Sequence, residues 1–456
     1  MAKKKQIELT IEEKLQNALV PKEEQPYKIP SNWCWSYWKY CGKFIAGNGF
    51  KNIYQGFTQY DIPYYKVGSL KFCDEGNYLI DETNTINEEI RTKLKAAKIP
   101  VNSIIFAKIG EAIKLNRRCL NKIECCIDNN LMAFISEKYF YKYIFYWTKS
   151  LNFYELTNAT TVPALRKTDL ENIPIPLPPL NEQQRIVNRI ESLFAKLDRA
   201  KELIENTLAQ FEENKMAILH KAFIGELTAK WRKENNIDLS SWQEKTVDEL
   251  CTSLKYGTSK KSNPEGSVVV LRMGNLQNGE IDWSNLMYTD DKDDIEKYLL
   301  KKGDVLFNRT NSPELVGKTS IYRGEYPAIY AGYLIKLDYG KDIIGEYLNY
   351  MMNSTKAKHY CYTVKTDGVS QSNINAKKIG AFEIPVPTIE EQQEIVNILD
   401  RLLAKYNKIK NLEQQLEKIE LLKKAILAKA FRGELGTNNP DEESAENLLK
   451  EILAEK

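Results

Sequence analysis

Apolar residues recur at three- and four-residue steps along two stretches of the chain. In the first stretch Ile186, Ile190, Leu193, Leu197, Ala200 and Ile204 share one helical face. In the second, Ile395, Leu399, Leu402, Tyr406, Ile409, Leu412, Leu416 and Ile419 do the same. Such spacing is the seam of a coiled coil and predicts two long helices. Neither 181–223 nor 390–431 contains proline or glycine, so each helix is expected to run unbroken for roughly 60 Å. Prolines 174, 176, 178 and 179, and again 385 and 387, predict extended chain at the two entrances. Gly225 and Gly433 predict the stops.

The two stretches are copies. Glu182-Gln183-Gln184-Arg185-Ile186-Val187-Asn188 returns as Glu391-Gln392-Gln393-Glu394-Ile395-Val396-Asn397, an offset of 209. Leu193, Ala195 and Lys196 match Leu402, Ala404 and Lys405 at the same offset. Lys221-Ala222-Phe223-x-Gly225-Glu226-Leu227 matches Lys429-Ala430-Phe431-x-Gly433-Glu434-Leu435 at an offset of 208. Upstream, Trp33 precedes Trp242, and Pro176 precedes Pro385, by 209. The segment 103–106 also resembles 304–307. The chain is therefore one module written twice. A single apolar stripe would read as core; two related stripes, each ending its own half, favour pairing with one another, antiparallel about a pseudo-dyad.

The blocks before the stripes, 31–172 and 243–383, carry mixed signals. Runs at 103–106, 268–271, 304–307 and 329–337 predict strands, and 138–149 and 344–360 predict helices. Both blocks are dense in Tyr, Trp, Lys and Asn. Aromatics among cations suit nucleic-acid contact, and a tyrosine-rich sheet core would give the same composition. The fold class is mixed α/β (α+β).

Composition narrows the class. A chain of 456 residues, 43% hydrophobic and 28% charged, exceeds one ordinary core and is globular rather than disordered. No apolar run approaches the roughly 18 residues of a membrane span, and Met1-Ala2-Lys3-Lys4-Lys5 lacks the apolar stretch of a secretion signal. A cytoplasmic location is expected. Eight cysteines without a C-x-x-C pair, and two histidines, offer little for a metal site. A net charge of +3 does not decide the partner.

The proline-rich runs into Glu-Gln-Gln at 173–184 and 384–393, with the two Lys-Ala-Phe-x-Gly-Glu-Leu endings, resemble the specificity subunits of type I restriction–modification enzymes. The stretch from Val305 through Arg309, Asn311 and Gly317 to Lys318 is similar to segments of their target-recognition domains, as is Tyr256-Gly257-Thr258-Ser259-Lys260-Lys261. The resemblance covers nearly the whole chain. It implies two target-recognition domains separated by two long helices in an antiparallel coiled coil, with a pseudo-twofold internal repeat. It also implies that the helices act as a ruler between two half-sites of a bipartite double-stranded DNA target.

On this reading 1–30 is an N-terminal segment near the C-terminal helix, and 31–178 and 231–387 are the recognition domains. Residues 179–230 and 388–436 are the conserved helices, and 437–456 is the tail. DNA-binding candidates are Arg309, Asn311, Lys318, Lys260, Lys261 and Gln371 in the second domain. In the first they are Lys108, Arg117 and Arg118. Cationic and amide side chains are the types that pair with base edges and phosphates. Glu226 and Glu434, at the helix exits, are candidate contacts for methylation subunits, of which two are expected.

Catalysis within the chain is not expected. Ser312-Pro313-Glu314-Leu315-Val316-Gly317-Lys318-Thr319 imitates a phosphate-binding loop, but Ser312 replaces the first glycine and Pro313 lacks an N–H. No adenine-methyltransferase or G-x-G-x-x-G motif is present, and His220 is matched by Ala428 in the second copy. The resemblance places the chemistry in partners: methylation subunits using S-adenosylmethionine, and motor–nuclease subunits using ATP and Mg2+. The competing expectation is a coiled-coil scaffold that assembles partners without reading DNA.

Overall fold

The structure, a computed structural model, describes residues 10–157, 162–404 and 409–455, excluding the side chains of Ile409 and Lys410. Met1–Lys5, Lys405, Tyr406 and the Ile409 side chain, all used above, lie outside the described residues. The chain divides into two compact units, Met1–Glu202 with Gln414–Lys456, and Leu203–Glu413.

In the first unit a four-stranded antiparallel sheet runs in the order Gly42–Ala46, Leu131–Ser136, Ile104–Ala107, Arg118–Leu120. In the second unit the order is Cys251–Tyr256, Leu334–Tyr339, Val305–Asn308, Thr319–Ile321, again antiparallel. The repeat thus holds in three dimensions although these sequences have diverged. Every residue of Ile104–Ala107 and of Val305–Asn308 is buried. Ile104–Ala107 and Val305–Phe307 are unbroken apolar runs, as a strand covered on both faces requires, where a half-exposed strand would alternate. The first core centres on Trp38, fully buried, with Phe44, Phe134 and Trp147 rings at 4.7, 5.0 and 5.0 Å.

Two predicted elements split. The strand expected at 329–337 is two strands, Ala328–Tyr330 and Leu334–Tyr339. A turn closed by Leu334 N donating to Ala331 O separates them, so the chain leaves a parallel pairing with Val268–Leu271 and enters the large sheet. The helix expected at 344–360 is Gly345–Met352 followed by Thr355–Val364. Ser354 caps the second piece by accepting from Ala357 N, and an N-capping serine starts a helix more readily than it continues one.

The first long helix spans Leu180–Phe223, 44 residues, or about 66 Å. Ile186 and Ile190 are fully buried, and Leu193, Leu197, Ala200 and Ile204 are half-buried. The second stretch is helical at Ile389–Leu403 and Ile409–Phe431. Within the first unit the helices run antiparallel: Lys423 Nζ lies 2.5 Å from Asp198 and Lys201 Nζ 3.8 Å from Glu420, so one numbering rises as the other falls. Gly225 and Gly433 adopt φ of +82° and +75°. Each is followed by the bond that closes a left-handed helix cap, Glu226 N to Lys221 O and Glu434 N to Lys429 O, both 2.9 Å.

The proline-rich entrances are more than extended chain. Pro174–Leu177 pairs with Cys34–Tyr37, and Glu383–Val386 with Gln243–Thr246, each a two-stranded antiparallel sheet. Proline is tolerated because a two-stranded sheet leaves one side of each strand without a ladder partner. The glutamines that follow lock the joints. Gln183 Nε2 donates to Pro178 O and its Oε1 accepts from Phe140 N, at 3.0 and 3.1 Å. Gln392 does the same with Pro387 O and Ile344 N, at 3.0 and 2.9 Å.

The helix Ile11–Ala18, opened by a Thr10/Glu13 capping box, packs on the C-terminal helix Ala445–Ala454, which buries Leu449, Ile452 and Leu453. Among the described residues no helix is long and apolar enough to cross a membrane.

Candidate nucleic-acid interface

Arg309 leaves the buried strand Val305–Asn308 where the chain begins a small three-stranded sheet of Thr310–Asn311, Ser372–Asn373 and Thr366–Asp367. Its guanidinium lies 4.8 Å over the Tyr256 ring and donates to Asn373 Oδ1 at 3.2 Å and Gly332 O at 3.4 Å. Among the described residues its Nε has no partner. The arginine is half-buried and oriented, and a stacked guanidinium keeps a fork geometry that a lysine lacks. Asn311 is half-buried and pairs with Ser372. Gln371 is exposed on the turn joining the two short strands, which is closed by Gly368 N donating to Gln371 O at 2.8 Å. The apolar side chain of Val369, at the tip of this turn, is fully exposed.

The segment carrying Lys260 and Lys261 joins the same surface. Gly332 N donates to Thr258 O at 2.7 Å, and Arg309 N donates to Tyr333 O at 3.0 Å, so the 256–261 strand end, the 331–333 turn and Arg309 share a rim. Lys261 is exposed. Lys260 is exposed but tied, its Nζ 2.6 Å from Asp291 and 3.4 Å from Asp294. Lys318 turns elsewhere. Its Nζ donates to Gln277 Oε1 at 2.8 Å, and the residue lines a cleft of about 390 Å³ with Lys215, Met216, Lys358 and Tyr362. Burial, then the charge of Lys358, holds its ammonium below the usual lysine range. The loop imitating a phosphate-binding motif leads into the strand Thr319–Ile321, so no helix N-terminus follows to hold a phosphate.

In the first unit Lys108 occupies the place of Arg309. Leu165 N donates to Lys108 O at 2.8 Å, and Ile374 N donates to Arg309 O at 2.8 Å. Next along, Ile109 bridges Ala164 as Thr310 pairs with Asn373. Lys108 is half-buried and Arg117 exposed. Arg118 is placed otherwise than a surface contact would be. It is 3% exposed, donates from Nη2 to Leu151 O at 2.8 Å and from Nη1 to Asn116 O, and stacks 3.7 Å from the Phe153 ring. The strand explains this: Arg118–Leu120 is buried at every position, so a side chain on it packs inside whichever face it takes, while Arg117 precedes the strand.

Tyr256, Tyr333, Val369 and Asn373 belong to this surface without having been singled out as contacts. The 209 offset that relates Leu165 to Ile374 marks the loop before them and was the signal available for Asn373. Glu226 and Glu434 are exposed at equivalent positions just past the left-handed glycines.

The family model described as type I restriction modification DNA specificity domain matches twice, over residues 52–210 and 240–421. The chain belongs to this family. The specificity subunit of the type I restriction enzyme EcoKI of Escherichia coli (strain K12) is 30% identical over 315 residues, covering 66% of this chain and 68% of that one. The StySPI specificity subunit of Salmonella potsdam is 29% identical over 335 residues, covering 69% and 71%. A chain solved in a study of complex assembly and conformational transition of the type I restriction–modification system has the same fold. Its TM-score is 0.65 at 19% identity, with 90% of this chain and 100% of that one covered. Each match of the family model contains the buried central strand of one sheet, Ile104–Ala107 in the first and Val305–Asn308 in the second.

Proposed function

We propose that this chain reads a bipartite DNA sequence for a type I restriction–modification complex, with one half-site read by each of its two rims. The observation that carries the reading is the equivalence of Lys108 and Arg309. Each is a cation at the exit of the same buried strand, held by the same backbone bond from a residue 209 positions apart in the other copy.

In the second unit, Arg309, Asn311 and Gln371 offer the guanidinium and amide groups that pair bidentately with guanine and adenine edges in the major groove. Lys261 supplies charge for phosphates. Lys260 joins it once DNA displaces Asp291 and Asp294, and Lys318 marks the flank toward its cleft. In the first unit Lys108 and Arg117 play these parts, with Arg118 holding the strand beneath them. A scaffold that does not read DNA would not need an oriented arginine stacked on an exposed tyrosine.

Methylation and cleavage fall to partner subunits in the cytoplasm. Two methylation subunits carrying S-adenosylmethionine transfer methyl groups to adenine N6, and motor–nuclease subunits use ATP and Mg2+. Glu226 and Glu434, equivalent and exposed, are the proposed contacts for the two methylation subunits.

The test is adenine-methylation mapping in a methylation-free host that expresses this chain with its methyltransferase partner. A split motif with a fixed unread gap, lost when this chain is omitted, is the expected result. Methylation without a split motif, or none from an assembled complex, would overturn the reading.

A further inference from the structure

Cys73 and Cys119 lie with their Sγ atoms 2.7 Å apart in the first unit. That is about 0.7 Å beyond the bonded S–S length of roughly 2.05 Å. The backbone on both sides is fixed. Cys119 sits on the edge strand Arg118–Leu120. Cys73 bridges Leu79, whose N–H donates to Leu120 O at 2.8 Å, while Leu120 N donates to Asn77 O at 2.8 Å. Main-chain bonds thus hold the two segments side by side with their thiols already adjacent.

The pair is also chemically unlike the other cysteines. Burial pushes the Cys34, Cys126, Cys251 and Cys361 thiols up to about 12. The Cys73 thiol is instead pulled below its ordinary value, by its hydrogen bond with Cys119 and by the Lys149 ammonium, against the effects of burial and Asp74. Cys119 is pushed up, first by the same hydrogen bond. Cys73 is half-buried and Cys119 buried. One partner is thus the accessible nucleophile and the other a shielded resolving thiol.

We infer that Cys73 and Cys119 form a reversible redox site, oxidised by low-molecular-weight disulfides to an intrachain disulfide. The Cys73 thiolate attacks one sulfur of the small disulfide, forming a mixed disulfide and expelling one small thiolate. Cys119 loses its proton and attacks the Cys73 sulfur, which forms the Cys73–Cys119 bond and expels the second thiolate. The two protein thiols lose two electrons and two protons, and one small disulfide becomes two thiols. The product ties the 73–79 segment to the strand that follows Arg117.

The experiment uses the full chain, equilibrated with graded ratios of glutathione disulfide to glutathione, acid-quenched, alkylated and digested for mass spectrometry. The expected result is a linked peptide pair containing Cys73 and Cys119, two fewer alkylated thiols, and reversal by dithiothreitol. Closing a loop across 46 positions should also raise the melting midpoint of the first unit by roughly 10 °C. Cys251→Ser should leave the link intact, and Cys73→Ser should abolish it. The link is read in the unsubstituted chain, so a poorly folding variant does not obscure the answer. Full alkylation of both cysteines at the most oxidising ratio, or links joining other cysteines instead, would overturn the proposal.

Discussion

Trp33 donates from its indole Nε1 to Oε2 of Glu182 at 2.8 Å, and the second copy repeats the bond between Trp242 and Glu391 at 2.9 Å. Both carboxylates are fully buried, and a buried carboxylate is tolerated only where donors surround it. The remaining donors differ. Glu182 accepts from Asn438 Nδ2 at 3.0 Å and Thr437 Oγ1 at 3.4 Å, both from the tail after Gly433. Glu391 accepts from Thr228 Oγ1 and Arg232 Nη1, both at 2.6 Å, from the segment after Gly225. Each helix entrance is therefore closed by the segment that follows the other repeat's helix. The first glutamate of the Glu-Gln-Gln signature thus ties each helix entrance to that segment.

The Arg232–Glu391 ion pair is buried on both sides, with the side chains 9% and 0% exposed. Arg232→Ala would leave Glu391 charged with only Thr228 and Trp242 as donors. The second unit is expected to lose about 3–5 kcal/mol, the usual cost of stranding one member of a buried pair. Urea denaturation followed by Trp fluorescence measures it, and a loss below about 1 kcal/mol would show that the pair is replaceable by water.

Replacing Arg309 with Ala should weaken reading of one half-site by about 1–3 kcal/mol at a single base pair and leave the other half-site unchanged. Lys108→Ala should give the reciprocal pattern. Arg309→Lys separates the two kinds of contact. If Arg309 pairs bidentately with a base, lysine fails to restore specificity; if affinity returns with the charge alone, Arg309 holds a phosphate. Competition binding at fixed salt with duplexes altered in one half-site measures all three variants.

The repeat, the helices and the central strands were legible because they rest on periodicity and on matches such as Glu182 with Glu391, which are local in the sequence. The rims were less so. Arg309 stood out as a cation after an apolar run, but Asn373, which accepts its hydrogen bond, is 64 positions away and marked only by the offset from its own copy. Arg118 looked like Arg117 in composition, and only the boundary of the wholly buried strand Arg118–Leu120 separates the inward side chain from the outward one. The break at Asn353-Ser354 was missed because helical periodicity continues across it, and the cap that restarts the helix depends on one serine hydroxyl.

Arg118→Ala should destabilise the first unit rather than alter DNA reading. It removes a guanidinium that donates to Leu151 O and Asn116 O and covers the Phe153 ring. Leu151 O keeps its bond from Asn116 Nδ2 at 3.0 Å, so the loss, about 1–3 kcal/mol, comes from the missing hydrogen bonds and packing. Affinity per folded molecule at the first half-site should stay within twofold of the unsubstituted chain. A tenfold loss of affinity without a change in melting would instead place Arg118 at the DNA.

Lys149 gives a pH dependence with a definite sign. Its ammonium donates to Asn77 Oδ1, yet burial pulls its pKa down to about 8 from an ordinary 10.5. Between those values the unfolded chain binds a proton that the folded chain has shed, so stability rises with pH across that window. The contribution is complete above the unfolded value and lost as pH falls through about 8. Tyrosines buried in the same unit, such as Tyr65 and Tyr78, have their pKa values raised and act in the opposite direction once pH exceeds 10. The clean interval is therefore the lower part of the window. Lys149→Met keeps the apolar stem and removes the titration. The difference in melting midpoint between the unsubstituted chain and this variant should shift in favour of the unsubstituted chain as pH is raised from about 7.5 to 9.5. A difference that stays flat across that interval would mean that Lys149 keeps its ordinary affinity for protons, with its ammonium solvated rather than buried against Asn77.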